Sequence, residues 1–276
     1  MAKVAGMNTS PVRNFAFAVA YWVMSTFYAV CAAFLTLLPG RRAMTFAIRL
    51  YSRRMLWALR VFAGIKVDLR GQERLPKGAF IIAAKHHSWG DGFVMYANVP
   101  NLTFVTGDHL EKIPLLSGVL KKLGAIVVDS CGGSEARQDL AEQAAAAHAE
   151  GKRILIYPEG HLARPGERFK YRSGVYFMYR DFGLPVVPVA TNLGLRWRQT
   201  DFEKSPGTAT IEFLEPIPVG LEKAEFMRRL EETVEGRTNE LIAMETGEPV
   251  HPAVLVEWDD QRGVNVAAEP KRPAEA

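Results

Sequence analysis

The sequence predicts an α/β domain with a mixed, partly parallel sheet flanked by helices, preceded by an N-terminal membrane-associated helical hairpin. Three observations predict it. From residue 66 onward, short apolar runs of strand length alternate with segments of helical periodicity, the pattern of strands connected through helices. Phe15 to Pro39 contain no charged residue, and a helix of about 24 residues covers ~36 Å, enough for a ~30 Å hydrocarbon core. Charge is also divided along the chain. Residues 1–75 hold eleven Lys/Arg against two Asp/Glu, a net of +9, whereas the remainder carries −5. A basic front on a mildly acidic body asks for an anionic partner at the N-terminus, a phospholipid surface or a nucleic acid.

The chain has 276 residues, with 48% hydrophobic and 23% charged. These values suit a globular chain and exclude wholesale disorder. Two cysteines, Cys31 and Cys131, exclude a disulfide scaffold and a paired-cysteine zinc site. No helix-turn-helix, zinc or RNA-binding pattern is present, so nucleic acid is not expected as a partner. Neither GxGxxG after a strand nor GxxxxGK[ST] occurs, which argues against a dinucleotide or P-loop role.

The first domain is read as residues 1–65, with an apolar helix at about 15–39 and a basic amphipathic helix at about 43–65. Pro39-Gly40 breaks the first helix, and Arg41-Arg42 follow. In the second, Arg42, Arg49, Arg53 and Arg60 fall on one stripe, with Met44, Phe46, Ile48, Met55, Trp57 and Leu59 on the other faces, as in a helix lying in a head-group layer. A cleavable signal peptide and a buried core helix are the competing readings of the apolar run. Six arginines follow that run before residue 65, and the positive-inside bias places the body on the cytoplasmic side of the cytoplasmic membrane. A true span and a hairpin dipped into one leaflet both fit.

Residues 66–250 form the second domain. Strands are expected at Lys66–Leu69, Ala79–Ala84, Leu102–Val105, Ala125–Asp129, Arg153–Tyr157, Val186–Thr191 and Thr208–Phe213. Helices are expected at Asp91–Asn98, Pro114–Leu123, Ser134–Glu150, Val175–Phe182 and Glu222–Glu245. Residues 251–276 read as a C-terminal extension that ends in a loose tail rich in Pro, Ala and charge from about Glu269.

Two clusters carry chemistry. The strand ending at Ala84 runs into Lys85-His86-His87-Ser88-Trp89-Gly90-Asp91. A histidine can take a proton from an alcohol, and an aspartate five residues on can hold its tautomer and stabilise its cation. Asp91 also suits a helix N-cap, and His86, His87 and Asp91 could instead meet a metal ion. The second cluster, Tyr157-Pro158-Glu159-Gly160-His161, also follows an apolar strand. It leads into a loop with Arg164, Arg168, Lys170 and Arg172, a plausible anion site or a solvated charged loop.

In order, these segments resemble the glycerolipid acyltransferase family, in particular the bacterial 1-acyl-glycerol-3-phosphate acyltransferases. His86-x4-Asp91 with Ser88 is similar to the family's N-H-x-S-x-x-D, with Lys85 in place of Asn. Gly124 to Asp129 is similar to G-x-x-F-I-D-R, Pro158-Glu159-Gly160 to the P-E-G of F-P-E-G-T-R, and Leu184 to Val189 to V-P-I-V-P-V. Lys112-Ile113-Pro114 also looks like the family, and Arg172-Ser173-Gly174 resembles its Lys-x-Gly. Two family arginines, associated with gripping the acceptor phosphate, are replaced by Ser130 and by His161-Leu162 in place of Thr-Arg.

The resemblance implies transfer of a fatty acyl group from acyl-CoA or acyl carrier protein to the free hydroxyl of 1-acyl-glycerol-3-phosphate, giving phosphatidic acid at a phospholipid membrane. It implies His86 and Asp91 as catalytic residues. Substrate binding falls to Ser88, Glu159, Gly160, His161, Arg164, Lys170 and Arg172, with Arg137, Lys85 and Lys112 as further candidate cations. No cofactor or metal is expected. Phe93 and Tyr96 are candidates to line the acyl chain's path. Another lysolipid acceptor, a lipid-binding protein without turnover and a hydrolase using the same histidine are the alternatives.

Overall fold

The computed structural model describes residues 10–112, 114–128, 134–198, 203–259 and 264–268. Helix α1 (Pro11–Leu37) starts behind Ser10, whose hydroxyl accepts the Arg13 amide, with Pro11 in its first turn. It stops where Pro39 and the left-handed Gly40 (φ +77°) interrupt the chain. Helix α2 (Arg42–Ala58) folds back against α1, widens into a π-type turn at Leu59–Ala63 and ends at Gly64 (φ +73°).

The hairpin is docked on the body. Phe17 is 3% exposed within the main core, Asn14 Oδ1 accepts the Lys204 amide (2.9 Å), and Lys122 Nζ donates to Thr36 O (3.2 Å). The opposite face of α1 is bare: Phe15, Trp22, Phe27 and Phe34 are each more than 60% exposed. The core-helix reading therefore fails for that face. α1 is the one helix among the described residues long and apolar enough to cross a membrane.

The body is built on a seven-stranded sheet of strands β1 (Ile65–Arg70), β2 (Ile81–Ala84), β3 (Leu102–Gly107), β4 (Ile126–Val128), β5 (Arg153–Ile156), β7 (Val186–Thr191) and β8 (Gly207–Phe213). Their order is β1-β8-β7-β2-β5-β3-β4, and every neighbouring pair is parallel except β7 with β8. Each lies within two residues of its expected ends. β2 is central and buried on both faces, which is why it reads as an uninterrupted apolar run.

The pleat divides the core. Ile82 and Ala84 enter one cluster beneath the hairpin and α3 (Asp91–Asn98), whereas Ile81 and Ala83 enter another under α5 (Ser134–Ala149), α6 (Gly174–Phe182) and α7 (Lys223–Thr246). Helix α4 (Pro114–Leu123) packs on α1 and α2. A short two-residue strand, β6 (Glu167–Arg168), pairs with a C-terminal β-hairpin of β9 (Val254–Asp259) and β10 (Val264–Ala267). The extension after residue 250 thus contributes two strands, a feature sequence periodicity missed because each strand is short and largely exposed. Asp129, Ser130, Cys131, Ile113 and the tail from Glu269 lie outside the described residues.

Candidate active site

β2 and β5 are parallel neighbours with Ala83 opposite Ile156. Three residues beyond that pair stand His86 on one strand and Glu159 on the other, so the two motifs meet at one carboxyl-terminal edge. Open α/β sheets place their sites at such an edge. The imidazole of His86 stacks on Tyr157 with centroids 3.9 Å apart and planes at 16°.

Past Ala84 the alternation of the strand continues, and it assigns opposite roles to consecutive residues. His86 falls on the α3 side, where its Nδ1 meets Asp91 Oδ2 at 3.0 Å. The same oxygen accepts the amides of His87 and Ser88, both at 2.8 Å. The N-cap of α3 is Gly90, not Asp91. The carboxylate turns back onto the loop, so the N-cap reading of Asp91 gives way to that of a clamp on His86. His86 is 22% exposed at its side chain and Asp91 2%. With Nδ1 engaged, Nε2 remains to take a proton.

Lys85 falls on the opposite side and is fully enclosed. Its ammonium donates to Glu159 Oε2 (3.0 Å), to Glu235 Oε1 of α7 (2.8 Å) and to the Glu167 carbonyl (3.0 Å), while Tyr171 donates to Glu235 (2.9 Å). Burial raises the Glu159 carboxyl to about 7, with Lys85 opposing and Glu235 adding to the rise. Burial, reinforced by the Lys85 ammonium, lowers His87 well below the ordinary histidine range and keeps its ring neutral.

The remaining sequence-predicted residues separate into two groups. Ser88 is buried and its hydroxyl accepts the Gly90 amide (3.0 Å), so it closes the turn instead of facing substrate. Glu159 is 1% exposed and its carboxylate is committed to Lys85 and the Phe169 amide (2.9 Å); it ties the loop together. Lys85 is likewise removed from the candidate phosphate cations, and Lys112 pairs with Asp108 (2.9 Å). Arg137 lies on α5.

Exposed Gly160 (φ +71°) and half-buried His161 form the turn, and the Arg172 side chain crosses the glycine. A Cβ at Gly160 would stand 2.9 Å from Arg172 Nε, so the arginine's path requires glycine there. Arg172 Nη2 lies 3.2 Å from His161 Nε2. Arg164 and Lys170 follow on the same loop and make no ion pair among the described residues. Phe93 stacks on Trp197, and Tyr96 packs edge-on to Phe104, both beneath the hairpin.

Sequence reasoning missed Glu235 and Tyr171. A signal did exist: a lysine directly after an apolar strand needs a buried counterion, and Glu235 follows Val234 on the apolar stripe of α7.

The fold and this edge define an α/β protein with a His–Asp pair at the carboxyl-terminal end of its sheet. The family model described as Acyltransferase matches residues 66–192. Over 175 residues the chain is 31% identical to the 1-acyl-sn-glycerol-3-phosphate acyltransferase of Pseudomonas aeruginosa, covering 63% of this chain and 68% of that protein. It is 24% identical over 169 residues to the enzyme of that name from Saccharomyces cerevisiae, covering 60% of this chain and 55% of that protein. The crystal structure of the 1-acyl-sn-glycerophosphate acyltransferase from Thermotoga maritima superposes with a TM-score of 0.67 at 21% identity, covering 84% of this chain and 97% of that one, and shows the fold. The chain belongs to the 1-acyl-sn-glycerol-3-phosphate acyltransferase family and is an acyltransferase. It spans little more than half the length of its yeast and Limnanthes douglasii relatives.

Proposed function

We propose that the protein esterifies the free hydroxyl of 1-acyl-glycerol-3-phosphate with a fatty acyl group from a thioester donor, acyl-CoA or acyl carrier protein, and so makes phosphatidic acid. The observation that carries the reading is the His86–Asp91 pair at 3.0 Å, at the mouth of the sheet edge that the family motifs share.

His86 Nε2 takes the proton as the acceptor oxygen attacks the thioester carbonyl. Asp91 holds the Nδ1 proton and stabilises the imidazolium. The tetrahedral intermediate collapses with cleavage of the C–S bond, and the proton passes from His86 to the departing thiolate. No acyl-enzyme, metal or redox group takes part in the step as written. The cations of the loop after Gly160 hold the acceptor's phosphate.

The bare apolar face of α1, with Phe46 (68% exposed) and Trp57 (52%) on α2, supports docking on a membrane. There the amphiphilic acceptor already lies at the head-group plane. The arginines after α1 support the cytoplasmic side. A second reading, transfer to a different lysolipid, is favoured by His161-Leu162 standing where the family has Thr-Arg.

The test offers labelled acyl-CoA with 1-acyl-glycerol-3-phosphate, beside phosphate-free lysolipids, on anionic vesicles. His86→Ala should lower turnover by about 10²–10⁴-fold, the range of general-base catalysis, while sedimenting with vesicles as the wild type does. Retention of more than a few per cent of turnover removes His86 as the base. Wild-type protein left in the supernatant removes the membrane reading. Transfer only to a phosphate-free lysolipid moves the substrate.

A further inference from the structure

The C-terminal hairpin lies across the loop that follows Gly160. Glu167 and Arg168 of β6 pair in register with Val254 and Leu255 of β9. Asn265 of β10 donates from Nδ2 to Glu167 Oε2 (2.8 Å) and to the Leu162 carbonyl (3.4 Å). Val256 packs with Ala163 and Phe169 in a small apolar cluster of its own. These fastenings bring Trp258 onto the imidazole of His161, with planes at 12° and centroids 5.9 Å apart, and Phe169 contacts the same ring at 5.1 Å.

The contacts continue toward the base. His161 Nε2 accepts from Arg172 Nη2 at 3.2 Å, and the Arg172 amide donates to the Pro158 carbonyl (2.8 Å). The loop is itself tied to His86: the Ala163 amide donates to the His86 carbonyl (2.9 Å), and the His86 amide faces Glu159 Oε1 (3.5 Å). A line of packed groups therefore runs from the hairpin through Trp258, His161 and Arg172 to the edge that holds the base.

The charges along this line are unevenly used. Arg168 is paired with Glu231, and Lys85 with Glu159 and Glu235. Arg172 meets no carboxylate among the described residues; its guanidinium is held by a ring nitrogen of His161. An exposed arginine ordinarily loses side-chain entropy when it grips an anion, and a guanidinium already fixed in place loses less. His161 and Leu162 stand where the family has Thr-Arg.

We propose that the C-terminal hairpin is a specificity element of the acceptor site. Trp258 is a positioning residue that holds His161, and through it Arg172, against the anionic phosphomonoester head of the acceptor. The hairpin lies wholly outside residues 66–192, the span matched by the family model. This role rests on the phosphate-acceptor reading above.

The test uses full-length protein on vesicles and varies 1-acyl-glycerol-3-phosphate and acyl-CoA separately. Trp258→Ala should raise the acceptor KM about three- to tenfold, the factor that a lost aromatic pair corresponds to, and leave the donor KM and kcat unchanged. Trp258→Phe should restore most of the wild-type value. If Trp258→Ala does not fold, Asn265→Ala, which unfastens the hairpin and keeps the indole, should move the same constant in the same direction. A folded Trp258→Ala or Asn265→Ala with an unchanged acceptor KM, or with both KM values raised equally, overturns the proposal alone. A wild type that acylates phosphate-free lysolipids equally well overturns the phosphate-acceptor reading, and the proposal with it.

Discussion

The His86 side and the His161 side of this edge, which the proposed function assigns to the base and to the acceptor's head, are built on opposite principles. Around His86 the polar groups are held by several contacts each: one Asp91 oxygen serves the imidazole and two amides, and Lys85 is held by two carboxylates and a carbonyl out of reach of solvent. Around His161 the charged groups are exposed or half-buried, three cations lack carboxylate partners among the described residues, and order comes from aromatic packing and a distant hairpin. Proton transfer needs one geometry, so its groups are fixed by several contacts each. Head-group recognition needs unneutralised charge that water can reach, so its groups cannot be paired in advance. His161-Leu162, standing where the family has Thr-Arg, falls on the second side, where Arg164, Lys170 and Arg172 are close in the chain.

Three substitutions probe this contrast. The largest effect is expected from Lys85→Met, which leaves Glu159 and Glu235 facing each other in a closed site. Breaking a buried pair on one side typically costs about 3–5 kcal/mol, and a denaturant melt measures it. The double variant Lys85→Met/Glu235→Gln should recover part of that loss. A single variant as stable as the wild type would show that the triad does not hold the base side together.

Arg164→Ala comes next. Loss of a charge-assisted contact to phosphate, about 1.5–3 kcal/mol, should raise the acceptor KM by tenfold or more and the donor KM far less. Equal effects on both constants would take Arg164 out of the acceptor site and make the acceptor side narrower than the loop suggests.

The smallest effect concerns pH. The folded Glu159 carboxyl, at about 7, lies above its ordinary value of 4.5, so the native state holds this proton more tightly than the unfolded chain does. The stability it contributes is complete below about pH 4.5 and is lost as pH rises through about 7. Glu159→Gln has no such proton to lose. Its thermal midpoint should therefore gain on that of the wild type between those two pH values. Parallel curves would mean that the Lys85–Glu159–Glu235 cluster keeps its charge state throughout.

Much of the fold was legible because its signals are local. β2 and β7 are buried on both faces and read as uninterrupted apolar runs, and α1 lacks charge from Phe15 to its end. His86 and Asp91 were legible for the same reason, being five residues apart on one strand–turn–helix unit. Glu235 and Trp258 were not, since each acts on a residue far away in the chain. A buried glutamate on a helix stripe and a tryptophan on a short strand carry no periodicity that says whom they meet.

By itself the sequence determined the order of strands and helices, the apolar and basic front, and the pairing of His86 with Asp91. Each depends on neighbours within about a helical turn or a strand length, where geometry follows from φ/ψ preference and pleat. The tertiary structure alone decided which charges are consumed and which remain. The pleat sends Lys85 and His86 to opposite faces, α7 supplies the counterion that removes Lys85 from the substrate, and the hairpin after residue 250 returns to fix His161 beside Arg172. A charge is neutralised or available according to what packs against it, and packing between distant segments is set only when the sheet closes.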